Sequence, residues 1–230
     1  MQIKIQNLKK HLLKPKKFFY YFNRVNLFFS SIALLIFILI SIGVSSGELK
    51  SLDEYILAQL HIILPDWFFN IAKASYFIGE AEVAAFIVLF SLIFLVRKKL
   101  WDEAQVLALF TLSILILIDR ILKPFFAIAR PLDRLVDNAF GYSFPSGHAS
   151  GNLILYFLLA YFIVQSFPKY RFICYFIPTF SIILMGISSA YLRVHWVSDI
   201  FASYCIGYIM VSLAITLLKS SQKNSSISES

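Results

Sequence analysis

"NLFFSSIALLIFILISIGVSS", residues 26–46, decides the architecture of this chain. It contains no acidic or basic side chain, and its 21 residues form a helix long enough to cross a hydrocarbon core of about 30 Å. The segment before it, residues 1–25, is basic, with Lys4, Lys9, Lys10, Lys14, Lys16, Lys17 and Arg24. No small-residue cleavage pattern follows, so the stretch reads as an uncleaved first span and not as a secretion signal.

The rest of the chain has the same character. Of its 230 residues 59% are hydrophobic and 15% charged, with a mean hydropathy of +0.76. Soluble domains carry roughly 25% charged residues. The expected fold is therefore an all-α, polytopic membrane domain. Five further spans are predicted near 70–96, 104–125, 149–167, 172–192 and 199–218. Between the first two, "LDEYILAQLHIILPDW" (52–67) mixes Asp53, Glu54, Gln59 and His61 with apolar residues. It is too polar to span, and is expected as an amphipathic helix in the interface. The predicted division is a basic segment (1–25), a six-span domain (26–218) and a disordered Ser-rich tail (219–230).

The net charge of +8 does not point to nucleic acid, because the cations flank apolar spans. Cys174 and Cys205 both fall within spans, so no disulfide framework is expected. No nucleotide-binding loop and no metal-ligand spacing is present, and neither a cofactor nor an obligatory protein partner is implied. Phe and Tyr, 24 and 12 in number, suit lipid-facing packing and interfacial anchoring.

Six spans put both termini on one side. The N-terminal segment, Arg97–Lys98–Lys99, Lys169, Arg171, Lys219 and Lys223 place 14 of the 21 Lys and Arg there, so both termini are expected in the cytoplasm. Most of the other seven crowd the opposite face, at 120–134 and at 193. That face also receives two loops far apart in sequence. One carries Lys123, Arg130 and the Ser146-Gly147-His148 turn; the other carries Arg193, His195 and Asp199. Ionisable groups gathered at span ends are functional candidates.

Each part suits phosphate chemistry. Lys123 and Arg130 supply permanent charge, and arginine adds a bidentate fork. Ser146 and the Gly147 amide precede a predicted helix N-terminus, where free N–H groups and the helix dipole attract anions. His195 and Asp199, four apart, share a helical face, so the carboxylate can fix the imidazole tautomer and leave one nitrogen free to attack. His148 from the other loop is placed to protonate a leaving oxygen. Glu80 and Glu82 in "YFIGEAEV" read as plain interfacial residues, and Arg120 and Arg134 as structural or accessory, with Asp119 as a partner for Arg120.

"KPFFAIARP" (123–131), "PSGH" (145–148) and "SSAYLRVHWVSD" (188–199) resemble the three motifs of the phosphatidic acid phosphatase type 2 family, the lipid phosphate phosphatase and vanadium haloperoxidase-like superfamily. The resemblance implies a metal-independent phosphatase. His195 would be the nucleophile that becomes phosphohistidine, Asp199 its orienting carboxylate and His148 the general acid and base. Lys123, Arg130, Ser146 and Gly147 would bind the phosphoryl oxygens. The chain departs from the pattern at Ser189, where the family has arginine. Arg193, one helical turn on, either supplies the missing cation or contacts headgroups or a loop carboxylate.

The expected substrate is a phosphorylated membrane lipid, met at the outer face of a bacterial cytoplasmic (inner) membrane. Undecaprenyl pyrophosphate, phosphatidate, phosphatidylglycerol phosphate and lipid A phosphates all fit. A phosphotransferase using the same intermediate, and a non-catalytic phospholipid-binding protein in which Ser189 marks decay, are the rival readings.

Overall fold

The first long helix of the computed structural model, α1, runs over Arg24–Ser46. The Asn23 side chain caps it by accepting from the Val25 amide (3.1 Å), and Gly47 ends it in the left-handed region at φ 79°, where lack of a Cβ removes the steric cost. The structure describes residues 23–137 and 139–228, with side chains as far as Gln222. Most of the basic segment expected at the N-terminus therefore lies outside the described residues.

Seven helical elements follow: α2 (Lys50–Ile63), α3 (Phe68–Ile78), α4 (Ala81–Arg97), α5 (Trp101–Phe126), α6 (Gly147–Ser166), α7 (Arg171–Tyr191) and α8 (Val197–Ser228). Among the described residues five helices, α1, α5, α6, α7 and α8, are long and apolar enough to cross a membrane. The span expected at 70–96 differs from its prediction, because α3 and α4 form a pair bent by 47°. Gly79 and Glu80 interrupt the helix, Glu80 taking an extended ψ of 151°. Asn152 of α6 donates to the freed Gly79 carbonyl at 2.8 Å, which satisfies a backbone group that lipid could not.

The last helix also differs from expectation, continuing to Ser228 where a disordered tail was predicted from residue 219. Ser220 and Ser221 are buried, and Gln222 Nε2 donates to Glu103 Oε1 of α5 at 2.9 Å. Packing against α5 therefore keeps the helix wound after its hydropathy has fallen.

The main core lies between α5, α6 and α8. Leu107, Phe110, Ile114 and Ile118 meet Ile154, Leu155, Leu158 and Phe162, with Ile206, Val211, Ala214 and Leu218 closing the third side. α1 packs on α8, and α3 on α7. The outward faces stay apolar: Phe86 and Phe90 of α4 and Phe172, Phe176 and Phe180 of α7 are exposed, as lipid-facing residues are.

Within α5, the stretch Ile116–Leu122 is wound as a π-helix before Lys123–Phe126 returns to α-helical winding. Such wide turns are rare and are frequent at functional sites. This one delivers Lys123.

α2 packs against α7 and α8. Asp53, Leu57 and His61, four apart, form its inner face. Leu57 packs with Ala149, Ala190 and Ile200, and His61 stacks on Tyr191 at 4.5 Å between ring centres.

Candidate active site

The loop after α5 (127–146) and the tight turn between α7 and α8 (192–196) interlock. Leu135 N–H donates to Leu192 O (3.0 Å) and Trp196 Nε1 to Ala129 O (2.8 Å). The turn includes Arg193 at φ 56°, a left-handed conformation that a non-glycine residue adopts only under tertiary constraint.

His195 sits inside this junction and is 1% exposed. Its Nδ1 lies 3.2 Å from Asp199 Oδ2. The carboxylate only accepts, so Nδ1 carries the proton and Nε2 keeps its lone pair. The same Asp199 oxygen accepts from the Trp196 amide at 2.9 Å and, over a very short contact, from the Ser143 hydroxyl. Ser143 is completely buried, and its Oγ is also 3.4 Å from His195 Nδ1. Burial first, then the neighbouring charges of Arg130 and Lys123, hold the His195 imidazole well below its ordinary titration range, so it is neutral near pH 7.

Arg130 faces the free nitrogen, its Nη1 3.2 Å from His195 Nε2. Three carbonyls clamp the guanidinium: Val194 O to Nη1 (2.6 Å), Phe140 O to Nη2 (3.0 Å) and Gly141 O to Nε (3.2 Å). Burial lowers its pKa from the ordinary arginine value, yet at neutral pH it stays a cation. Of its five N–H groups four are engaged, one of them by His195 Nε2, and the second on Nη2 is left for a ligand.

The second half of the site is built on the α6 N-terminus. Ser146 is fully buried and caps the helix, its Oγ accepting from the Ala149 amide at 3.3 Å, while its own N–H donates to Asp199 O at 3.4 Å. The Gly147 and His148 amides are thereby the first of the helix, with no acceptor within it. Lys123 Nζ stands beside them: a Cβ built on Gly147 would lie 3.7 Å from it. Lys123 pairs with Asp119 at 2.6 Å, which corrects the expected Asp119–Arg120 partnership. Residues four apart share a helical face and adjacent ones do not.

His148 stacks on Tyr76 of α3 (4.6 Å between centres, 14° between planes), and its Nε2 lies 3.8 Å from Glu80 Oε2. It is within electrostatic range of His195, Lys123 and Arg130. Glu80 was expected to be a plain interfacial residue. The α3–α4 break instead turns it inward, to a side-chain exposure of 16%.

Of the residues proposed from sequence, Lys123, Arg130, Ser146, Gly147, His148, His195 and Asp199 gather at this junction. Arg193 lies on the same turn, half-buried, with no side-chain bond to another described residue. Ser189 is buried in α7, its hydroxyl donating back to Met185 O at 2.8 Å. Sequence reasoning missed Ser143, Tyr76 and the inward role of Asp53. For Ser143, its place between two motifs was the only signal. Among the described residues no three His, Cys, Asp or Glu side chains gather as a metal would need.

The arrangement can hold a tetrahedral dianion against two cations and a helix N-terminus, with an oriented neutral imidazole on one side. Phosphatidylglycerophosphatase B from Bacillus subtilis (strain 168) is 26% identical over 183 residues, covering 78% of this chain and 89% of the relative. The crystal structure of a transmembrane PAP2 type phosphatidylglycerolphosphate phosphatase from Bacillus subtilis superposes with a TM-score of 0.73 at 25% identity. It covers 81% of this chain and 94% of its own. The PAP2 superfamily model matches residues 106–223, just over half of the chain's length. Motifs, fold and family model agree: the chain belongs to the PAP2 superfamily.

Proposed function

We propose that the protein is a membrane-embedded lipid phosphate phosphatase that works through a phosphohistidine on His195. The observation that carries this is the His195 ring itself: Nδ1 is held by Asp199 at 3.2 Å while Nε2 faces the Arg130 guanidinium at 3.2 Å. A phosphoryl oxygen drawn to Arg130 would bring phosphorus to the lone pair.

In the first step Nε2 bonds to phosphorus as the ester P–O bond breaks, and His148 gives its proton to the leaving lipid oxygen. Asp199 stabilises the positive charge that the ring acquires. In the second step water attacks the phosphorus as the P–Nε2 bond breaks, His148 takes the water's proton, and inorganic phosphate leaves with His195 neutral again. Lys123, Arg130, Ser146 and the Gly147 amide neutralise the equatorial oxygens in both steps. These charges belong to the chain's own side chains, so turnover is expected to be metal-independent.

A phosphate monoester on a glycerophospholipid headgroup, as in phosphatidylglycerol phosphate, is the favoured substrate on the strength of the relatives' names. Undecaprenyl pyrophosphate, phosphatidate and lipid A phosphates complete the set to be tried. Six crossings, counting α3 and α4 as one, would put both termini in the cytoplasm and the site at the outer surface, with α2 in the interface.

The test is phosphate release from these four lipids in detergent, with and without EDTA, beside His195→Ala. Release from at least one lipid, insensitive to EDTA, absent in the variant and accompanied by trappable phosphohistidine, is expected. Equal turnover by His195→Ala would end the proposal, and a phosphorylated lipid acceptor without free phosphate would make the enzyme a transferase.

A further inference from the structure

The helix that carries Asp199 begins without a cap of its own. In a capping box, the N-cap side chain accepts from the second or third amide of the helix, while the third residue reaches back to the N-cap amide. α8 starts at Val197, so Trp196 is its N-cap and Asp199 its third residue. Asp199 does reach back, accepting from the Trp196 amide at 2.9 Å. The reciprocal half is missing, because an indole cannot accept a hydrogen bond in the ring plane.

Asp53 of α2 supplies it from 145 residues away. Its Oδ1 accepts from the Ser198 amide at 2.9 Å and its Oδ2 from the Ser198 hydroxyl at 2.6 Å. The carboxylate is 6% exposed, and both its oxygens are engaged. Its negative charge also faces the positive end of α8. Burial raises its pKa from the ordinary value, and the Ser198 bonds act against that rise. Leu57 and His61, the next rungs of the same face, fix α2 to α6, α7 and α8 through Ala149, Tyr191, Ala190 and Ile200.

We propose that Asp53 is a positioning residue: it completes the cap of α8 in trans, and so holds Asp199, and through it the His195 imidazole, in the attacking orientation. This rests on His195 being the nucleophile. Asp53 touches neither the imidazole nor the place a phosphoryl group would take. Its loss lets the first turn of α8 fray, and the Asp199 carboxylate swings with that turn. Substrate binding, which draws on Lys123, Arg130 and the α6 N-terminus, is left alone. The short helix α2 thereby becomes a structural requirement for catalysis at a site to which it gives no reacting group.

The experiment uses the full-length chain in detergent, comparing wild type, Asp53→Ala, the isosteric Asp53→Asn, Asp199→Asn and the double variant Asp53→Ala/Asp199→Asn. Phosphate release should show kcat reduced on the order of 10- to 100-fold in Asp53→Ala, with KM within about twofold. Asp53→Asn, which retains one acceptor oxygen, should fall between it and wild type. In the Asp199→Asn background, Asp53→Ala should add almost nothing, since coupled residues are non-additive. A KM effect without a kcat effect, or full additivity with Asp199→Asn, overturns the proposal.

Amide hydrogen exchange in the same samples separates this from the reading it rests on. Asp53→Ala should exchange the amides of residues 198–200 at least about tenfold faster, by loss of one cap's worth of protection, with Asp53→Asn between it and wild type, while amides in the middle of α6 stay protected. Unchanged exchange at 198–200 overturns the proposal whatever the activity. An inactive wild type with accelerated exchange in the variants sinks the phosphatase reading and leaves the trans cap standing.

Discussion

Replacing Arg130 with lysine keeps the positive charge and removes the fork. The guanidinium uses three N–H groups on the carbonyls of Val194, Phe140 and Gly141 and has two left, one of them aimed at His195 Nε2. A lysine ammonium has three protons. It can keep the bond to the buried Val194 carbonyl and one other, so no paired donors remain for the phosphoryl group. Loss of one oriented donor costs on the order of 10²- to 10³-fold in rate. Arg130→Lys should therefore lower kcat/KM by about 10²-fold or more. It should also shift the melting temperature by only about 3 °C, because the buried carbonyl stays bonded. Steady-state phosphate release and a thermal melt in detergent check the two halves. A variant within about fivefold of wild-type kcat/KM would show that charge alone suffices and that the clamped geometry is irrelevant.

Three further outcomes follow from the same geometry. In the proposed mechanism the attacking form of His195 is the neutral imidazole, and burial together with Arg130 and Lys123 depresses its pKa, so kcat/KM should hold as pH falls through about 6.5 and decline only below it; in Arg130→Ala the acid limb of the residual activity should move to a higher pH. Gly147→Ala should fold normally, since the added Cβ meets no atom closer than 3.7 Å, yet lose activity by about tenfold because the methyl group stands beside Lys123 Nζ where an oxygen must sit; a melt and a rate measured together decide it. Arg193→Ala should cost on the order of 10²-fold if this residue stands in for the arginine absent at Ser189, and near-normal turnover would refute that substitution.

Much of the fold could be read from composition, because lipid demands long uninterrupted apolar helices and the sequence displays them. Hydropathy averages over windows and so missed what single residues do. The break at Gly79–Glu80 leaves the mean hydropathy of 70–96 untouched, yet it bends the helix pair by 47° and turns a carboxylate toward His148. The end of α8 was misplaced for the opposite reason. Serines that look like a loop are carried as helix by their packing and by the Gln222–Glu103 bond. At the site, motif spacing brought His195, Asp199, Arg130 and His148 into one hypothesis, since their chemistry requires those residue types. Ser143 and Asp53 stayed hidden: a serine in a loop and an aspartate on a short helix carry no pattern until the partner 56 or 145 residues away is in place.

The wide π turn in α5 works as a phase adjustment. Leu107, Ile114 and Ile118 keep an apolar stripe toward the core, and an ordinary helix, advancing about 100° per residue, would bring Leu122 next onto that line and swing the following lysine well off it. With the looser winding over Ile116–Leu122, the fifth residue after Ile118, Lys123, lies closer to that line than regular winding would leave it. The number of residues between the hydrophobic stripe and the ammonium is consequently as much a part of the catalytic design as the lysine itself. Restoring regular winding with the same number of residues would rotate the charge away from its neighbours without changing a single motif residue.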